Sequence, residues 1–402
     1  MKKVLGLSLL LATSFVFKSC SDDDTPTQKA TKQSFIENYA AIASANYEDS
    51  YTTALKMQTA INAFLANPSD ETHKAAKKSW LYARDFYGQT EAFREANGPI
   101  DNEDLLGTEG QINAWPLDEG FIDYVVDYNG KKIAGGLIAD ASFSLTEANL
   151  IGKNEENHKA DNISTGWHAI EFLLWGQDLN YNTTTHKQDN FKNAGVRSFT
   201  DYTTEASAKR RGTYLKIVTD LLVNDLKDLN STWAVGGTYR TAFAALKEDV
   251  ALKNVLNGIG FIANGEVALE RLDPAIDEGQ ENEHSCFSDN TNQDMWANTH
   301  GINNIIVGSY KRADGSKVSG TSLIALTETV NKDVAASLDT KAKATLAKLD
   351  ALLALGKPFD EIISKEELGS NGTAGQLSSA LKAEGKAIAE AAKTLDVTIS
   401  IN

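Results

Sequence analysis

Apolar residues recur at helical spacing along most of the chain. Over 34–66, Phe35, Tyr39, Ile42, Tyr51, Leu55, Ile61 and Leu65 step by threes, fours and sums of them, which gathers them on one side of a helix. Asn67-Pro68 ends that run, because the ring of Pro68 disfavours a helical residue before it. Ser69 or Asp70 then caps a second helix carrying Trp80, Ala83, Tyr87 and Phe93, closed by Gly98-Pro99. Further helices are predicted over 163–176, 203–229, 239–272, 322–355 and 376–395. The 322–355 stretch has the cleanest period, with Leu323, Leu326, Val330, Val334, Leu338, Leu346, Leu349 and Leu353 in step and Gly356 and Pro358 just beyond. Only 123–128 and 397–401 read as short strands. Long amphipathic helices bury their stripes by bundling, so the fold class is all-α.

Two pairs of segments resemble each other. Tyr87-Gly88-Gln89-Thr90-Glu91-Ala92-Phe93-Arg94 matches Asn264 through Arg271, each followed by a Pro and an Ile-Asp. Trp167-His168-Ala169-Ile170-Glu171 through Gly176 aligns without gaps to Thr299-His300-Gly301-Ile302-Asn303 through Gly308. A duplication of this kind predicts two helical-bundle domains, 33–205 and 206–402. Chance remains the alternative, since the spacers differ in length.

The start of the chain is built differently. Lys2 and Lys3 precede an apolar stretch, 4–16, that ends at Phe17-Lys18-Ser19-Cys20 and a run of three aspartates. That is the form of a secretory signal, and it resembles a bacterial lipoprotein signal over 1–19 with Cys20 as the lipidated residue. The polar segment 20–32 would be a tether. The expected location is exported and lipid-anchored in the outer membrane, periplasmic or surface-exposed, with the membrane reached through Cys20. A lipidated Cys20 leaves Cys286 as the sole thiol, so no intramolecular disulfide is expected.

Charge narrows the partners. The 402 residues carry 39 Lys+Arg against 55 Asp+Glu, a net −16. So acidic a body repels phosphate backbones and makes hard cations natural guests, so no nucleic-acid partner is expected.

Three stretches carry candidate chemistry. In Gly166-Trp167-His168-Ala169-Ile170-Glu171, His168 and Glu171 share a helix face at i and i+3, amid apolar neighbours that imply burial. A buried carboxylate needs a cation, a metal or a proton; a His ring held by its own Glu is the bland alternative. The stretch 277–291 packs Glu281, Glu283, His284, Ser285, Cys286, Ser288 and Asp289 into one loop, hard oxygen donors that suit Ca²⁺, Mg²⁺ or iron; a solvated acidic turn explains the same composition. Arg84, Glu91 and Arg94 lie near one helical face, with Trp115 and Asp118 in the next connection, and on their own read as an ion-pair ladder. No HExxH, GxSxG or phosphate-cradling loop is present.

Together these stretches resemble the imelysin-like family, whose signature GxHxxE is Gly166-Trp167-His168-Ala169-Ile170-Glu171. Gln111-Ile112-Asn113-Ala114-Trp115-Pro116-Leu117-Asp118-Glu119 and 285–291 are similar to further family blocks, and the resemblance runs from about 34 to 400. It implies two helical bundles, export or a lipid anchor, and one of two activities: iron handling, or the insulin-cleaving metallopeptidase for which the family is named. His168 and Glu171 carry the family motif as metal ligands, or as catalytic residues if the protein is a peptidase. Trp115, Asp118, Ser285, Ser288 and Asp289 carry over as pocket neighbours.

Binding of iron, another divalent metal or an iron-bearing ligand is favoured over catalysis. Catalytic zinc normally has three protein ligands, and the motif offers two. The expected pocket lies between the bundles, lined by Arg84, Glu91, Arg94, Trp115, Asp118, Glu281, Glu283, Ser285, Ser288 and Asp289, with Glu171 and Asp118 facing a cation or an Arg. An envelope protein partner and an adhesion or glycan-binding surface are the remaining expectations.

Overall fold

The computed structural model describes residues 29–127, 129–179, 181–182, 187–188, 194–369 and 371–402. The signal, Cys20 and the tether up to residue 28 lie outside them. The described residues are all-α apart from three antiparallel two-stranded pieces, and none of their helices is long and apolar enough to cross a membrane.

Helix α1 (Lys32–Ala66) opens with a reciprocal cap between Thr31 and Ser34, and α2 (Asp70–Tyr87) with one between Ser69 and Thr72. Each pair satisfies two backbone or side-chain donors that a helix start leaves open. Helix α1 packs along α2 and α4 (Ala208–Trp233), and α4 also packs on α3 (Gly166–Trp175). A second group forms around α10 (Thr373–Thr394), which lies against α5 (Glu248–Phe261), the segment Ile262–Leu272 and α8 (Lys332–Leu353). Helix α4 therefore keeps company with the N-terminal helices. Helix α6 (Thr291–Val307) joins the groups, touching α2, the segment Gly88–Phe93 and α8. Buried apolar side chains from both groups form one connected core.

Several predicted boundaries shift for local reasons. The helix expected across 322–355 is two, α7 (Leu323–Glu328) and α8, because Asn331 turns its side chain back to cap the backbone of Asp333 and Val334. The span 239–272 divides into Thr238–Ala244, α5 and a π-helical stretch. Among the described residues of 123–128, only Val125–Val126 is a strand, paired with Lys132–Ile133. The 397–401 segment is not a strand; it lies along the π-helical stretch, where Asn264 Nδ2 donates to the Ile401 carbonyl at 2.9 Å.

Candidate functional site

Two glycines let the site assemble. Gly166, the first residue of the GxHxxE motif, opens α3 with φ +87°, and a Cβ there would meet the Ile112 carbonyl oxygen at 2.4 Å. Only glycine fits that conformation and that approach, which sets the motif against Asn113. Gly88 ends α2 where a Cβ would come within 2.7 Å of Ala297. The chain continues as the tighter Gly88–Phe93 turn, carrying Glu91 and leading to Arg94.

His168 and Glu171 are fully buried and paired, His168 Nδ1 lying 2.8 Å from Glu171 Oε2. Ser288 donates to Glu171 Oε1 through its backbone N–H at 2.9 Å and its Oγ at 2.7 Å. Burial pushes the Glu171 carboxyl up to about 8, against the pull of those Ser288 bonds. Burial, then the neighbouring Arg84, drive His168 well below its ordinary value and keep the ring neutral. Arg84 is the hub: its Nη2 lies 3.4 Å from His168 Nε2 and 3.3 Å from His284 Nδ1, its Nε donates to Asp294 Oδ1 at 3.1 Å, and its Nη1 donates to Asn113 Oδ1. Burial alone would raise Asp294, but Arg84, together with His284 and the Ser285 hydroxyl, holds it far below the usual carboxylate range.

Beside this core lies a second set of ion pairs. Glu91 Oε2 is held by Arg271 at 2.6 Å and Arg94 at 3.3 Å, and Glu266 Oε1 by the same two guanidiniums at 2.6 and 3.1 Å. The two arginines occupy equivalent positions in the sequence similarity noted above. Arg271 reaches Glu266 across five residues, which an α-helix would set about 140° apart around its axis; the π winding of Ile262–Leu272 brings them nearer one side. Burial opposes ionisation of Glu266, yet Arg271 and Arg94 bring its carboxyl down to about 2.

A cavity of about 300 Å³ opens onto this network. Asn113, Trp115, His284, Arg94 and Arg271 line it, with Glu109, Glu155, Glu266 and Glu270 supplying its acids. Arg94 and Arg271 are paired with Glu91 and Glu266, and Arg94 also with Glu109 at 3.4 Å, so the cavity's acids outside these ion pairs are Glu155 and Glu270. The His284 Nδ1 also lies 3.3 Å from Asp294 Oδ2. With the proton there, Nε2 keeps a lone pair, and it has no hydrogen-bond partner among the described residues.

The structure thus joins Arg84, Glu91, Arg94, Trp115, Ser285 and Ser288 to the His168–Glu171 pair. Glu171 faces Ser288 and His168, with Arg84 reached through His168, rather than facing a cation or an Arg with Asp118. Asp118 sits in the following turn, where its backbone N–H donates to the Asp161 carbonyl. Glu281, Glu283 and Asp289 instead lie within electrostatic reach of Asp178, and Glu283 and Asp289 also of Asp360, in a separate group of acids. Among the described residues no three His, Cys, Asp or Glu side chains converge as a metal site.

Asn113, Asp294, Glu266 and Arg271 went unassigned by sequence reasoning, and His284 was noted only as part of the 277–291 loop. Asp294 lies on α6, absent from the predicted helices because Thr291, Asp294, Asn298 and Thr299 interrupt the apolar residues of its buried face. The signal that could have found Arg271 was present, since it repeats the position of Arg94.

Three comparisons bear on this arrangement. The family model described as Imelysin, a peptidase family, matches residues 43–387. Iron-regulated protein A of Synechococcus elongatus is 26% identical over 160 residues, 40% of this chain and 35% of that protein. The chain thus matches about a third of the length of that curated relative. Among solved structures, one from Parabacteroides distasonis, assigned as an iron-regulated protein A precursor, superposes with a TM-score of 0.69 at 19% identity, covering 92% of this chain and 97% of its own. An imelysin-like protein from Psychrobacter arcticum gives 0.59 at 14% identity, covering 92% and 96%. At these identities the structures speak for the fold.

Proposed function

This chain belongs to the imelysin family, and we propose that it is an exported protein, lipid-anchored through Cys20, that binds an iron-bearing ligand without transforming it. The observation that carries this reading is the acidic cavity backed by the buried Arg84 network. Glu155 and Glu270, outside the arginine ion pairs, and the Nε2 of His284 suit a cationic guest that arrives with part of its coordination shell filled. A bare ion on His168 Nε2 would have to displace the Arg84 guanidinium at 3.4 Å, which favours the cavity over the motif as the point of contact. His168 and Glu171 then act as positioning residues, fixing Arg84 and the Ser288 loop behind the cavity. The names of the relatives, iron-regulated protein A, point to the same metal.

Calorimetric titration with Fe²⁺, ferric citrate and Zn²⁺ tests the proposal on the wild type and on His284→Ala and Glu171→Gln. Binding tighter than about millimolar, near −4 kcal/mol, weakened at least tenfold in His284→Ala, is the expected result. Glu171→Gln should melt like the wild type yet bind more weakly. The absence of any such binding by the wild type overturns the reading.

The peptidase name of the matching family model supports a second reading, hydrolysis with His168 and Glu171 at its centre. Zinc-loaded protein that cleaves insulin chain, is stopped by chelator and fails as His168→Ala would put that reading first.

A further inference from the structure

A different part of the molecule gathers carboxylates without arginines. Asp178 follows the C-terminus of α3, Glu283 and Asp289 sit in the loop before α6, and Asp360 lies in the short helix Phe359–Ile363. Asp178, Glu283 and Asp360 are each at least nine-tenths buried. Burial raises Asp178, Glu283 and Asp289, and the neighbours that raise them further are each other and Asp360. Like charges so placed, with no ion pair to a guanidinium or ammonium among the described residues, need a counter-charge or protons.

Two buried oxygens point to which. Gln280, 5% exposed, donates its amide Nε2 to Asp178 Oδ2, which fixes the two side chains against one another. That contact leaves Asp178 Oδ1 and Gln280 Oε1 buried and without a hydrogen-bond donor. Buried oxygen acceptors are ordinarily satisfied. Here two lie on side chains in direct contact, one a carboxylate and one an amide carbonyl, the donor types a hard cation prefers.

We propose that Asp178 Oδ1 and Gln280 Oε1 are the protein ligands of a partly hydrated divalent cation, Ca²⁺ or Mg²⁺, held in the field of Glu283, Asp289 and Asp360. Two protein oxygens with waters completing the shell is the mode hydrated Mg²⁺ uses and weak Ca²⁺ sites share. It agrees with the finding that no three acidic side chains converge here on one point. The ion would also tie the end of α3 to the loop 280–290, which delivers His284, Ser285 and Ser288 to the neighbouring cavity site. The two sites are distinct in chemistry: a neutral imidazole and glutamates in one, only hard oxygens in the other.

Calorimetric titration of the chelator-treated protein with CaCl₂ and MgCl₂ tests this, using wild type, Asp178→Asn, Asp360→Asn and, as a control at an exposed helix position, Glu390→Gln. The expected result is wild-type binding of one of the two ions at about 10⁻⁴–10⁻³ M, the range of weak calcium modules. Asp178→Asn and Asp360→Asn should weaken it at least tenfold, with Glu390→Gln unchanged. Folding of each variant is checked by thermal melting, and Asp178→Asn should lose the ion-induced rise in Tm. No binding by folded wild type up to about 10 mM, or binding indifferent to both aspartate variants, overturns the proposal. In either case protons are the cluster's counter-charge.

Discussion

Two largely buried groups of acids, one around Glu91, Glu266 and Asp294 and the other around Asp178, Glu283, Asp289 and Asp360, solve the cost of burial in opposite ways. In one, Arg84, Arg94 and Arg271 reach Glu91, Glu266 and Asp294, and all three carboxylates stay ionised; Glu266 falls to about 2. In the other, Asp178, Glu283, Asp289 and Asp360 chiefly face one another; burial and mutual repulsion lift Asp178 to about 9 and Asp289 to about 7. Residue type is nearly the same. The partner decides whether a buried carboxylate is a fixed charge or a vacant acceptor. A fixed lattice of charge makes a rigid wall for a cavity, whereas a group of acids without cations is free to take up a proton or an ion.

The comparison is broken most severely by removing a hub. Arg84→Met leaves Asp294 charged in the interior with its main counter-ion gone, so unfolding in urea should show a loss of about 3–5 kcal/mol. A loss under about 1 kcal/mol would mean that His284 and Ser285 suffice and that Arg84 is not the hub. His168→Ala is the next largest, at about 1–3 kcal/mol, because Glu171 loses one of its donors and Arg84 a neutral acceptor; an unchanged melting curve would count against the pairing.

The pH dependence sharpens the contrast between the two groups. Asp178 has a folded value of about 9, above its ordinary value near 4. Its contribution to stability is therefore present below about pH 4 and lost as pH rises toward 9. Glu266, with a folded value of about 2, contributes above its ordinary value and loses that contribution only as pH falls through 2. Chelator-treated wild type should lose stability between about pH 5 and 9, and Asp178→Asn should flatten the slope by up to one proton, about 1.4 kcal/mol per pH unit. Equal slopes in the two proteins would show that Asp178 titrates normally. The smallest effect is expected from Ser288→Ala, about 1 kcal/mol, since the Ser288 backbone N–H still serves Glu171; thermal melts resolve it.

The reach of pattern reasoning follows from what each residue depends on. Helices α1, α2, α8 and α10 were legible because their buried stripes are apolar, with Pro68, Ser69, Gly356 and Pro358 marking some of the ends, whereas the cap at Asn331 that separates α7 from α8 went unread. Helix α6 escaped because Asp294 and Asn298, which meet Arg84 and Arg271, interrupt the apolar stripe of its buried face. His168 and Glu171 were found as a pair since i, i+3 spacing on a helix is local information. Their partners Arg84, Ser288 and Asp294 are 84, 117 and 123 residues or more from one or other of them, or reached only through a third side chain.

By itself, then, the sequence determined the helical class, the pairing of His168 with Glu171, the acidity of the chain and the glycine that the motif requires, all consequences of spacing and backbone geometry within a few residues. Only the tertiary structure decided that Ser285 and Ser288 serve the motif while Glu281, Glu283 and Asp289 lie within electrostatic reach of Asp178, and that Arg94 and Arg271 share two glutamates beside a cavity. The physical reason is that a charge buried in a protein takes its meaning from whatever sits within a few ångströms, and folding, not sequence distance, chooses those neighbours.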